Sequence, residues 1–168
     1  MAHEPRVLLV QESYLPAVGG AELHVYHVAR CLRDMGWAVR IATATPGPAS
    51  ESGIPVERVP AFSYQGRRAP LTFILTVADV VRRVAANDVV HGHCTGMMSA
   101  VHGLMARALR RRYVVTLHGF GTLDSSVDKS ALGRLWRWLA IHAAYKVIAT
   151  TPEMRDIALR FVSPARIE

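Results

Sequence analysis

A chain of 168 residues, 51% of them apolar, can build one domain with a full core but has no room for a second of similar size. Its formal charge of +7 comes almost wholly from arginine, with Lys129 and Lys146 the only lysines, and this suits an acidic partner such as an anionic membrane surface or a phosphorylated substrate. The basic residues form no aromatic-interleaved stripe, which argues against nucleic acid, and neither a bilayer-spanning apolar run nor a signal-peptide pattern occurs, so a cytoplasmic protein is expected.

Arg6 to Val10 is an apolar, β-branched run of the kind that forms a central parallel strand covered on both faces. Pro16-Ala17-Val18-Gly19-Gly20-Ala21-Glu22 follows it and opens a helix whose apolar face is Ala21, Val25, Val28, Leu32 and Met35. Gly36 supplies a left-handed helix end, and Trp37 to Ala42 reads as the second strand. Thr45 to Pro55 is rich in Pro, Gly and Ser and reads as a loop, with a short strand around Val56 to Val59. Pro70 starts a helical pattern through Leu71, Ile74, Leu75, Ala78, Val81 and Ala85.

Asp88 to His91 is the next strand, Met97 to Ala108 the next helix, and Tyr113 to Leu117 the strand after it. Arg110-Arg111-Arg112 complements the dipole at that helix's C-terminus, whereas Arg67 and Arg68 are freer to meet a ligand. Lys129 to Ala144 carries Leu132, Leu135, Trp136 and Leu139 at helical spacing. Trp138 beside Arg137 reads as a partly buried ring, with a membrane-facing one as the alternative. Lys146 to Ala149 is a strand, Thr151 caps a last helix with Pro152 at its first position, and Ala165 to Glu168 begins a further strand. Cys31 and Cys94 fall in no C-x-x-C spacing and are expected as buried or partly buried thiols, not a disulfide.

Alternating strands and helices imply an α/β fold, a parallel sheet with helices on both faces, whose ligand lies beyond the carboxyl ends of the strands. The groups gathered there are the loop through Gly19 and Gly20, His91-Gly92-His93 with Thr95-Gly96, His118-Gly119-Phe120-Gly121, and Thr150-Thr151. Paired glycines at a helix start allow close approach to an anion, although glycines also simply turn a chain there. The dinucleotide and P-loop fingerprints are both missing, which disfavours a stand-alone NAD or ATP enzyme. His91 and His93 have metal-ligand spacing on one strand face, but no sequence feature nominates a third ligand, so no metal is expected. Glu22 in the first helical turn suits the helix dipole.

Four segments in this order resemble glycosyltransferase family 4, specifically the N-terminal Rossmann-like half of its two-domain GT-B fold. They are Pro16-x-x-Gly19-Gly20-x-Glu22, Leu32 to Val39, Asp88-Val89-Val90-His91-Gly92-His93, and Val115-Thr116-Leu117-His118-Gly119. The resemblance implies a retaining transfer of a sugar from a nucleotide sugar to an acceptor hydroxyl, with no cofactor and no metal. It implies further that Gly19 and Gly20 bind the donor's diphosphate and that His118 is the catalytic side chain near the donor sugar. Glu12, Tyr14, His91, His93 and Gly119 are the candidate acceptor or cleft contacts.

Nothing in residues 1–168 matches the family's C-terminal donor-binding motifs, so the expected unit is an acceptor-side domain, inactive alone and working with a donor domain in cis or trans. The acceptor is a sugar or a lipid, and peripheral contact with an anionic inner membrane face is compatible with the charge. The alternative is a non-catalytic α/β module that binds a phosphorylated ligand or a protein partner through the same rim.

Overall fold

The computed structural model describes residues 4–59, 70–119 and 131–168. Arg67, Arg68, Phe120, Gly121 and Lys129 lie outside the described residues. The elements are β1 (Arg6–Gln11), α1 (Gly20–Asp34), β2 (Ala38–Thr43), β3 (Ser50–Glu51), β4 (Ile54–Arg58) and α2 (Pro70–Ala85), followed by β5 (Val89–Gly92), α3 (Met97–Ala108), β6 (Arg112–Leu117), α4 (Ala131–Ala143), β7 (Lys146–Ala149) and α5 (Pro152–Ala158). The strands lie in the order β3-β4-β2-β1-β5-β6-β7. All neighbours are parallel except β3 and β4.

β1 is apolar throughout because it sits mid-sheet with both faces covered. Its side chains alternate: Leu8 and Val10 enter one core with Val90, Tyr113, Val115 and Val147, while Val7 and Leu9 enter the other with Val39, Ile41, Val25 and Ala29. α1 supplies the second core, and α2, α3, α4 and α5 supply the first through Val80 and Val84, Met98 and Ala106, Ile141, and Met154 and Ala158. Among the described residues the two faces are thus unequally covered, one helix against four. Leu8 and Leu9 have no exposed surface, and each such burial contributes roughly 2 kcal/mol.

Two helices end in the same way. In α1, Gly36 (φ +85°) donates to Arg33 O, and Trp37 N donates to Leu32 O. In α3, Arg110 (φ +54°) donates to Arg107 O, and Arg111 N donates to Ala106 O. Both are Schellman turns, one with glycine at the left-handed position and one with a side chain there. Arg83, almost fully buried, bonds Glu57 on β4 and Asp79 one turn back, which ties α2 to the sheet.

Several expectations change. The stretch read as loop contains β3, turned into β4 through Ser52 (φ +50°) and Gly53 (φ +79°); β4 therefore begins at Ile54. Turn-forming composition masked this short edge hairpin. Met35 is 73% exposed, since α1 buries only Val25 and Ala29. In α4, Ala140 and Ile141 are buried while Leu132, Leu135 and Trp138 are exposed; Trp138 stacks on His142 with centroids 4.2 Å apart. Cys31 is an exposed thiol and Cys94 a half-buried one, and both are free. At the C-terminus a 3-10 turn over Pro164–Arg166 precedes Ile167, which makes one parallel bridge to Val147.

Candidate functional site

β1 lies between β2 and β5, and the chain leaves β1 for α1 on one face but leaves β5 for α3 on the other. That reversal opens a crevice at the carboxyl ends of β1 and β5, where sheets of this kind bind ligands. The loop after β1 is braced by Arg58, whose Nη1 donates to Leu15 O (2.8 Å) and Thr45 O (3.0 Å).

Gly19 is the N-cap of α1 and the two glycines differ in what surrounds them. A Cβ on Gly19 would lie 2.4 Å from Glu22 Oε2, because Glu22, at the third helical position, folds back over the cap. Among the described residues nothing lies within 4 Å of the same position on Gly20. Gly20 therefore stands uncovered by any described residue at the positive end of a helix dipole, while Gly19 is covered by a carboxylate.

His24 stands one turn beyond Gly20 on α1. Its ring is 4.6 Å from that of His118 and 5.6 Å from that of His93. His93 Nδ1 is 3.3 Å from His118 Nε2. The His91 and His93 rings are 4.0 Å apart, so the alternate spacing puts both on the α1 face of the sheet as expected. His91 Nε2 is tied to Thr116 Oγ1 on β6 at 2.7 Å. The glycine loop, the β5 end and the β6 end thus meet in one wall, and the link is His24, which the sequence reading did not single out. Its signal was present: it lies four residues after Gly20, hence on the same helix face.

Burial pushes His118 down to about 4, reinforced by His24 and opposed by Glu22. Burial likewise brings His91 to about 4, holds His93 well below the usual imidazole range, and lowers His24. At neutral pH the described residues of the wall therefore offer neutral imidazoles, which donate and accept hydrogen bonds.

Two candidate contacts serve other ends. Tyr14 has no exposed surface and packs in the α1-side core with Val25 and Ile41, so it cannot touch an acceptor; burial raises its phenol to about 12. Glu12 Oε1 accepts from Met98 N (3.2 Å) and fills the N-terminus of α3, where a Cβ on Gly96 would come within 2.0 Å of it. Burial raises its carboxyl against the pull of that bond. Gly119 follows β6 with a left-handed backbone (φ +62°). Thr150 Oγ1 donates to Leu117 O (2.8 Å), and Thr151 Oγ1 accepts from Met154 N (3.3 Å), so both rim threonines fasten the backbone. One nitrogen from each of His24, His93 and His118 falls within 4.8 Å of the others, so among the described residues this trio is able to hold a metal.

Residues 18–168 match the model of Glycosyltransferase Family 4. The chain belongs to that family. This family 4 chain is 31% identical over 138 residues to a phosphatidylinositol N-acetylglucosaminyltransferase subunit of Arabidopsis thaliana, covering 74% of the chain and 31% of the relative. It thus spans about a third of the length of the curated relatives it matches. Sucrose-phosphate synthase of Thermosynechococcus elongatus superposes with a TM-score of 0.67 at 18% identity, over 98% of the chain and 47% of that enzyme. A UDP-N-acetylglucosamine 2-epimerase from Listeria monocytogenes superposes at 0.68 with 13% identity, over 99% and 45%. The fold is the Rossmann-like N-terminal half of the GT-B architecture.

Proposed function

We propose that this glycosyltransferase family 4 chain forms the acceptor-side half of a retaining enzyme that moves a sugar from a nucleotide sugar to an acceptor hydroxyl. The observation that carries this reading is the convergence of Gly20, His24, His93 and His118 on one wall at the switch point. Gly20 at the α1 N-terminus offers backbone N–H groups to the departing diphosphate, whose negative charge grows as the glycosidic bond breaks. Seating the diphosphate against Gly19 as well requires the Glu22 carboxylate to swing aside. His118 hydrogen-bonds the sugar as a neutral imidazole and orients it toward the acceptor oxygen. His91 and Gly119 shape the rest of the wall, with His91 held by Thr116.

No metal or cofactor is assigned to the transfer itself. The opposite wall, which grips the nucleotide, belongs to a C-terminal donor domain in cis or trans. The name of the relative makes N-acetylglucosamine the first sugar to test, as its nucleotide sugar, and phosphatidylinositol the first acceptor. A lipid acceptor also fits the arginine-borne charge and peripheral contact with an anionic membrane.

The test compares transfer by the purified chain with transfer by the chain joined to a family 4 donor half. No turnover alone and recovered turnover when joined is the expected result. Robust transfer by the 168-residue chain alone would remove the two-part reading. Binding of a phosphorylated ligand with no turnover in any combination would favour a non-catalytic module.

A further inference from the structure

We propose that His24, His93 and His118 form a three-imidazole site for a zinc-type divalent transition metal, with a fourth position open to water or a substrate oxygen. A tetrahedral ion with metal–nitrogen bonds of about 2.0–2.1 Å holds its ligand nitrogens about 3.3 Å apart. His93 Nδ1 and His118 Nε2 already stand at 3.3 Å, one edge of such a tetrahedron. The third corner is His24, whose nitrogen lies within 4.8 Å of both and whose exposed ring already meets that of His118 edge-on, 4.6 Å away.

The three ligands come from the first turns of α1, the end of β5 and the end of β6, so the fold and no local motif assembles them. His93 is the anchor. It has no exposed surface, and its Nε2 has no hydrogen-bond partner among the described residues, so no bond on that side sets the ring's orientation. Yet its Nδ1 points at His118.

The donor set fixes the metal class. Three imidazoles with neither thiolate nor carboxylate suit zinc, cobalt, nickel or copper and do not suit the hard ions magnesium and calcium. An ion here occupies the His118 nitrogen that the transfer reading assigns to the sugar, so zinc is expected to slow transfer. The site itself does not rest on that reading.

Chelator-treated, untagged chain is titrated with cobalt(II) and followed by visible absorption, then with zinc(II) in competition. One equivalent in a tetrahedral spectrum supports the site, as does at least tenfold weaker binding in His24→Gln, whose exposed position leaves the fold intact by circular dichroism. His27→Gln, on the same helix outside the trio, retains native affinity. Absence of a tetrahedral spectrum, more than one equivalent, or native affinity in both His24→Gln and His93→Gln would overturn the proposal. If His93→Gln fails to fold, His24→Gln and His118→Gln decide. All these readings are made on the protein alone, so a negative result leaves the transfer reading standing.

Discussion

Among the described residues the two ends of the sheet differ in charge. At the carboxyl ends of the strands the described residues of the wall are glycines, neutral imidazoles and the Glu22 carboxylate. At the amino ends, Arg107, Arg110, Arg111, Arg112 and Arg166 line a depression of about 490 Å³ with Tyr113 and Tyr145. Much of that charge is engaged by backbone. Arg166 Nη2 donates to His142 O (3.1 Å) and Ala144 O at the end of α4, and Arg111 Nη2 donates to Ala85 O (3.0 Å) at the end of α2. The cations neutralise helix C-termini, but Arg111 serves the neighbouring α2, whereas its spacing in the chain points to α3. The arginines of the amino end thus serve stability, and the proposed transfer wall lies at the opposite end, beside the N-terminus of α1.

This contrast predicts that changes at the two ends separate activity from stability. The largest expected effect is His118→Ala in the joined enzyme: transfer falls on the order of a hundredfold or more while the melting temperature hardly moves, as steady-state kinetics and thermal unfolding will show. An unchanged rate would detach His118 from the reaction.

Next comes Gly103→Ala in α3. Its new Cβ would lie 2.4 Å from the Tyr113 ring, which is fixed in the core. Destabilisation of about 1–3 kcal/mol by denaturant unfolding is expected, with transfer per folded molecule unchanged.

The imidazole wall also sets a pH dependence. His91 and His118 have folded values near 4, below the unfolded value, so the unfolded chain binds more protons between about pH 6.5 and pH 4. Stability is fully present above pH 6.5 and declines toward pH 4. Thermal unfolding across that window will show it, and His118→Ala should flatten the slope. A flat native profile would mean that the rings are solvated.

The smallest effect is Arg110→Gly. It relieves a left-handed side-chain residue in the Schellman turn that Gly36 occupies without strain in α1. A gain of about 0.5–1 kcal/mol with native transfer is expected, and a loss would show that the Arg110 side chain contributes more than its backbone costs.

Local pattern carried most of the fold. β1, α1, β5, α3 and β7 stand within about a residue or two of where apolar periodicity puts them, because burial on one or two faces is written as a period in the chain. The edge hairpin β3–β4 escaped because two-residue strands have no period to read. The inward face of α4 was misjudged because spacing defines a stripe but not its facing partner.

The sequence by itself determined the alternation of strands and helices, the glycines at the start of α1, the paired imidazoles on β5 and the residues that match family 4. Tertiary structure alone decided that Tyr14 is core, that Glu12 caps a helix 86 positions away in the chain, and that His24 completes the wall. The physical reason is that these facts depend on distances between segments remote in sequence. Sheet order and helix packing set those distances, and no local spacing encodes them.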